Sequence, residues 1–320
     1  MLRRARQLAR RVRFGGASEV GPPAPAAVAT QINIPKPNPF ISNELPSDVA
    51  QLSARYRERR ITHFLLGEKN IARQNKAISQ SALAFFDATK SLCGISLDDF
   101  AAQISEFRDV YLNAPITMNK FGLHFSTGLF LFLIARRRDP TLIVESGVYK
   151  GLSTYILSAA CPTAELHAFD PNLSELSFRS DNATYHSTDW MDYDVRSGPL
   201  QSSLIFFDDH QCQARRVIEA YDRGYRQLIF DDSWPIEAVT GCGWPPIPSI
   251  DVVVRDSLEP NETVQWIEDG NIWTYVHDEE MQQLCDKARA LIAATYDVPS
   301  LYRESGIGPT SAMKYVELVP

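Results

Sequence analysis

The chain has 320 residues, 44% of them apolar, and carries 39 acidic against 32 basic side chains for a net charge of -7. That size supports one large domain with additions or two small ones, and the acidic balance excludes general nucleic-acid binding, which needs a basic surface against phosphate. The five cysteines (Cys93, Cys161, Cys212, Cys242 and Cys285) are odd in number and lack CxxC spacing, so they read as reduced thiols of an intracellular protein, not as a disulfide or zinc framework.

Residues 1–14 hold six arginines and no acid, with Leu2, Ala5, Leu8, Ala9 and Val12 at helical spacing. Such a basic amphipathic arm suits the inner face of an anionic membrane or an organelle transit peptide, and a plain basic tail is the alternative. Residues 15–45, rich in Pro, Ala and Gly, read as a linker. Residues 46–139 are helical in pattern: Ser96 precedes Leu97-Asp98-Asp99-Phe100 as an N-cap, Phe100, Ile104, Phe107 and Tyr111 share a face, and Phe121 to Arg137 forms a second helix closed by three arginines. The longest strongly apolar stretch, Gly128 to Ala135, is too short to span a bilayer.

At Thr141 the texture changes. Leu142-Ile143-Val144, Leu166-His167-Ala168-Phe169, Ala183 to His186, Leu204 to Phe207 and Gln227 to Phe230 are strands; Leu152 to Ala160 and Gln213 to Asp222 are helices between them. Farther on, Gly241 to Pro246 reads as an irregular loop, Ile272 to Val276 as a strand, Glu279 to Thr295 as a helix and Met313 to Val319 as a last strand. This alternation predicts an α/β fold for residues 140–320, a doubly wound and mostly parallel sheet, with residues 46–139 as a helical N-terminal cap segment.

Two acidic pairs, Asp208-Asp209 and Asp231-Asp232, end consecutive strands joined by a helix. Parallel strands so connected end on one edge, where ligands bind, and four carboxylates there call for a hard cation, Mg²⁺ being the candidate. On the same edge, Glu145-Ser146-Gly147-Val148-Tyr149-Lys150-Gly151-Leu152-Ser153 follows the first strand and opens the first helix. Gly147 permits a sharp turn and close ligand approach, and Gly151 permits close packing at a helix start that favours an anionic group. The spacing is G-x-x-x-G, unlike the dinucleotide fingerprint.

With an acid directly after the strand, this loop resembles the S-adenosylmethionine loop of class I methyltransferases, the Rossmann-like methyltransferase fold. The stretch Phe206-Phe207-Asp208-Asp209-His210, and the run from Gly224 to Asp232, extend the resemblance to the Mg²⁺-dependent macrocin O-methyltransferase and cephalosporin-hydroxylase-like families, over roughly Thr141 to Trp234. The resemblance implies that Glu145 sits near the methionine ammonium, that Asp170 accepts bonds from the ribose, and that Asp189 contacts adenine with Trp190 stacked nearby. Gly147, Tyr149, Gly151 and Ser153 would complete the cofactor site. Asp231 and Asp232, with Asp208 or Asp209, would ligate the metal, and His210 would be the base. The family often spaces its fourth-strand acids by one residue, whereas here they are adjacent, which leaves open which of Asp208 and Asp209 is the ligand.

The implied chemistry is metal-assisted methyl transfer to a hydroxyl of a sugar or glycan acceptor, by a cytoplasmic enzyme that could sit against a membrane and associate with a second copy. A methyltransferase-like scaffold without turnover and a metal-dependent hydrolase using the same acids are the rival readings. Trp234 and Trp244 lie where an aromatic could stack on a sugar ring or anchor a loop.

Overall fold

The computed structural model describes residues 46–320 except 59–60, 62–63, 117–121, 196–199, 243 and 309–311. The expected basic arm (1–14) and linker (15–45) therefore lie outside the described residues. Four helices come first: α1 (Ser47–Glu58), α2 (Glu68–Ala88), α3 (Leu97–Asn113) and α4 (Phe125–Arg138). The Ser96 hydroxyl accepts from the Asp99 N–H at 3.1 Å and starts α3 as its sequence predicts. The α4 helix starts at Phe125 rather than Phe121 and is buried from Phe125 through Ala135.

The α/β region then runs β1 (Leu142–Ser146), α5 (Leu152–Ala160), β2 (Glu165–Phe169), β3 (Ala183–His186), β4 (Leu204–Phe207), α6 (Gln213–Asp222), β5 (Gln227–Phe230) and α7 (Ile250–Arg255). It closes with β6 (Glu262–Glu268), β7 (Asn271–His277), α8 (Glu279–Leu291), β8 (Ile292–Asp297), α9 (Tyr302–Ser305) and β9 (Lys314–Leu318). Seven strands form one sheet in the order β3-β2-β1-β4-β5-β9-β8. The first five are mutually parallel, and β9 runs antiparallel to both β5 and β8. Strand order reverses between β1 and β4, the switch point at which open α/β sheets bind ligands.

Both faces of the sheet are covered, which is why its central strands read as unbroken apolar runs. On one face Ile143, Phe206, Ile229 and Tyr315 pack with Phe86, Phe100, Phe107 and Phe130 of the N-terminal helices. On the other, Val144, Phe207 and Phe230 pack with Val217 of α6, Val253 of α7 and Ala288 of α8. The helices of residues 46–139 thus supply one layer of the sandwich, and Gly122, Leu123 and His124, just before α4, reach the cavity at the sheet edge.

Two expectations change. The stretch Glu279 to Thr295 is helical only to Leu291, and Ile292–Asp297 pairs with β9 as the sheet edge. Its β-branched and aromatic residues gain a cross-strand surface there, with Tyr296 opposite Tyr315 at 6.1 Å between ring centroids. The strand over Ile272 to Val276 is one arm of a two-stranded hairpin separate from the main sheet, whose other arm is β6. Among the described residues, no helix is long and apolar enough to cross a membrane.

Candidate functional site

A cavity of about 860 Å³ opens at the carboxyl ends of β1, β4 and β5. Its wall runs from the glycine loop and Asp170 to Asp208, Asp231, Asp232 and the segment around Trp244. Its position at the switch point follows from the strand order alone.

The glycine loop is held by backbone geometry. Gly147 has φ 94°, and its N–H donates to the Phe169 carbonyl at 2.9 Å. A Cβ there would lie 2.2 Å from the Asp208 carbonyl oxygen, so only glycine lets the β1 and β4 loops touch. Gly151, at φ 90°, precedes α5, and a Cβ there would lie 2.8 Å from the Phe178 carbonyl. Asp170 lines the cavity, and one of its oxygens accepts from the N–H groups of Val148 and Tyr149, each at 3.0 Å, while the other accepts from Asn172 at 2.8 Å. The ribose-binding candidate is thus also the clamp of the loop. Tyr149, at φ 48°, and Ser153 line the cavity beside it.

Glu145 does not reach the cavity wall. It is fully buried beneath the loop, where its carboxylate accepts from the Thr154 hydroxyl at 2.6 Å. Burial pushes its pKa up to about 7, bonds from Ser153 and Thr154 pull it back, and the Asp170 charge adds to the rise.

Asp189 and Trp190 are not brought to this cavity. Asp189 lines a separate hollow near Arg216, whose guanidinium donates to it at 3.1 Å. Burial alone would raise the Asp189 carboxyl, but the Arg216 bonds and the Met191 N–H outweigh it, and its pKa sits below the ordinary value. The Trp190 ring is 1% exposed and packs edge-on against Phe207 and Tyr225.

The acidic pairs divide in a way their adjacency conceals. Asp209 is tied down: one oxygen accepts from Ser146 at 2.7 Å and from Arg216 at 2.9 Å, the other from the Gln211 N–H at 3.1 Å. Arg216, 5% exposed in its side chain, also donates to Glu219 at 2.8 Å. Asp209 is therefore a structural partner of a buried arginine. Enclosure at the cavity floor, then the charges of Asp231, Asp232, Glu145 and Asp209, hold the Asp208 carboxyl well above the usual carboxylate range.

His210 lies on the rim with φ 54°, and Asp232 and Trp244 share the left-handed conformation at 52° and 56°. Non-glycine residues so placed cost of order 1–3 kcal/mol each and gather at functional sites. The His210 Nδ1 is 3.0 Å from the Trp244 carbonyl, which can only accept. Nδ1 is therefore the nitrogen that donates in this contact. The Cys242 sulfur lies 3.7 Å from that Nδ1. Burial and then the Asp232 charge push the Cys242 thiol up.

Asp208, Asp231 and Asp232 line the cavity together as oxygen donors suited to a hard cation such as Mg²⁺. Mg²⁺ takes oxygens in near-octahedral array, and Asp209 is committed to Arg216. Among the described residues, the ligand atoms that lie within 4.8 Å of one another are those of His210, Asp232 and Cys242. One nitrogen, one oxygen and one sulfur do not fit Mg²⁺.

Sequence reasoning missed Cys242, Arg216 and the tip of the hairpin as parts of the site. Glu268 and Asp269 line the cavity, and Glu268 accepts from the Trp244 N–H at 3.2 Å. The signal for the hairpin was present: Asp269-Gly270 between two alternating runs, both residues at positive φ.

A seven-stranded, mostly parallel sheet with helices on both faces and an antiparallel β9 inserted beside β5 is the Rossmann-like methyltransferase fold. No protein-family model matches the chain, and no curated protein matches it in sequence. Among solved structures it is similar to an O-methyltransferase from Bacillus cereus in complex with S-adenosylhomocysteine, at 12% identity over 68% of this chain and 91% of that one, TM-score 0.39. It is also similar to the O-methyltransferase TomG from Streptomyces achromogenes in complex with S-adenosylmethionine, at 12% identity over 68% and 90%, TM-score 0.40. A third is the S-adenosylhomocysteine-bound methyltransferase PaMTH1 from Podospora anserina, at 16% identity over 81% and 99%, TM-score 0.39.

Proposed function

We propose that the chain is an S-adenosylmethionine-dependent O-methyltransferase acting on a hydroxyl of a sugar or glycan. One observation carries the reading: Gly147 rests on the Asp208-Asp209 peptide, so the cofactor-type loop and the acidic floor share one cavity. Methyl transfer needs this adjacency, because donor sulfonium and acceptor oxygen must meet in line. A volume of about 860 Å³ also lies within the ~300–1,000 Å³ range of small-molecule sites.

In this reading the loop, the start of α5 and Asp170 hold the cofactor. The acceptor lies toward Asp208, Asp231, Asp232 and Trp244. The indole of Trp244 is 66% exposed on the wall, a flat apolar face beside carboxylates that accept from hydroxyls, which suits a sugar ring. In the reaction the C–S bond of the sulfonium breaks and a C–O bond forms; sulfur keeps the electron pair as a neutral thioether, and the hydroxyl proton leaves to a base or to solvent.

The test is a thermal-shift titration with S-adenosylmethionine followed by transfer of its labelled methyl group to a panel of sugars and glycans. At a hundredfold excess over Kd the cofactor is expected to stabilise the protein by about 2.7 kcal/mol. No shift at millimolar cofactor overturns the methyltransferase reading; a shift with transfer only to nitrogen or carbon acceptors overturns the O-methyl assignment.

A further inference from the structure

We infer that His210, Asp232 and Cys242 form a mixed-donor site for one divalent transition ion of the zinc class, at the acceptor end of the cavity. Three different segments bring the donors together: His210 follows β4, Asp232 follows β5, and Cys242 lies in the loop beyond. All three line the cavity, and their ligand atoms lie within 4.8 Å of one another. Tetrahedral bonds of roughly 2.0–2.3 Å put ligand atoms about 3.3–3.8 Å apart, so a contraction of up to about 1.5 Å closes the set around an ion.

The neighbouring groups are those such ligands need. The Cys242 sulfur lies 3.7 Å from the His210 Nδ1, and the Trp244 carbonyl, 3.0 Å from the same nitrogen, fixes the direction of the ring. One Asp232 oxygen accepts from the Trp234 indole at 3.2 Å, which orients the carboxylate. Outer partners of this kind fix the tautomer and direction of metal ligands. Asp208 and Asp231 place two further carboxyl groups on the same cavity wall. Sulfur and imidazole select borderline ions such as Zn²⁺, Co²⁺ or Fe²⁺ over Mg²⁺ and Ca²⁺. The absence of CxxC spacing excluded a cysteine framework but says nothing of a mixed site assembled by the fold.

Three protein ligands leave a coordination position open, as in catalytic zinc sites. A bound ion of this class lowers the pKa of a coordinated hydroxyl. That last role rests on the O-methyltransferase reading, whereas metal binding does not. The inference also makes His210 a ligand and not the base that the sequence suggested.

The test is titration of the full chain, dialysed against chelator, with Co²⁺. Expected are one Co²⁺ per chain, visible d–d bands and a near-ultraviolet thiolate-to-cobalt absorption. Cys242→Ser should lose the near-ultraviolet band, His210→Ala should weaken Co²⁺ binding at least tenfold, and Zn²⁺ but not Mg²⁺ at equal concentration should displace the ion. A thiolate band that persists in Cys242→Ser, absence of any band in the wild type, or displacement by equimolar Mg²⁺ overturns the proposal. Stabilisation by S-adenosylmethionine, measured on the same variants, reports folding and the cofactor end separately. Failure of the metal site and failure of the methyltransferase reading are thereby distinguishable.

Discussion

The two ends of the cavity are built on opposite principles. The glycine-loop end comes from one continuous stretch, β1 to the start of α5, with Asp170 as its clamp; its donors and acceptors close on each other through short bonds. The acidic end is assembled from the termini of β4 and β5, the loop holding Cys242 and Trp244, and the β6–β7 tip, and four of its residues, His210, Asp232, Trp244 and Asp269, sit in left-handed backbone. The difference teaches that the loop end is held by local geometry, while the acceptor end depends on long-range packing that can keep carboxylates close together.

The comparison breaks most visibly at the one residue that joins the two ends. Gly147→Ala adds a left-handed alanine and a clash with the Asp208 backbone, together about 4 kcal/mol. The expected result is a lower urea midpoint with S-adenosylmethionine stabilisation abolished; unchanged cofactor binding would show that the ends are independent. Next is Arg216→Met, which leaves Asp189, Asp209 and Glu219 without their shared cation and should cost roughly 3 kcal/mol at neutral pH. Chemical denaturation checks it, and a loss below 1 kcal/mol would remove Arg216 as the organiser of the acidic end.

Glu145→Gln tests the loop end through pH. The folded pKa of about 7 lies above the ordinary 4.5, so the native state binds more protons in that window. This contribution to stability is full below 4.5 and is lost as pH rises through 7, by about 3 kcal/mol in all. The glutamine variant should therefore show a flatter stability curve between pH 4.5 and 7 than the wild type; parallel curves would refute the buried, raised carboxyl. The smallest effect is expected from Trp244→Ala: about a fivefold rise in acceptor KM, or ~1 kcal/mol, with cofactor stabilisation unchanged. Equal KM values for both proteins would take the indole out of the acceptor site.

Much of the α/β region was legible because its signals are local. The bounds of β3, β4, α5, α6 and β5 coincide with the apolar runs and periodicities read from the chain. The edge was less legible. Ile292–Asp297 continues a helical pattern in sequence, and only the open flank of β9 turns it into a strand. Asp269-Gly270 announced the hairpin, but its reach to the cavity depends on how the tip folds back onto Trp244. Asp208-Asp209 could not be divided from sequence, because the arginine that claims Asp209 is seven residues away and buried by α6 packing.

The sequence by itself determined the parallel sheet, the edge on which Gly147, Asp170 and the acidic pairs meet, and the presence of a glycine-dependent loop, since strand periodicity and turn chemistry act over a few residues. Tertiary structure alone decided that Glu145 lies under the loop, that Trp190 is core, that Asp209 belongs to Arg216, and that Cys242 stands beside His210 and Asp232. Those outcomes depend on burial and on distances between segments far apart in the chain. Neither quantity is carried by the spacing of residues along it.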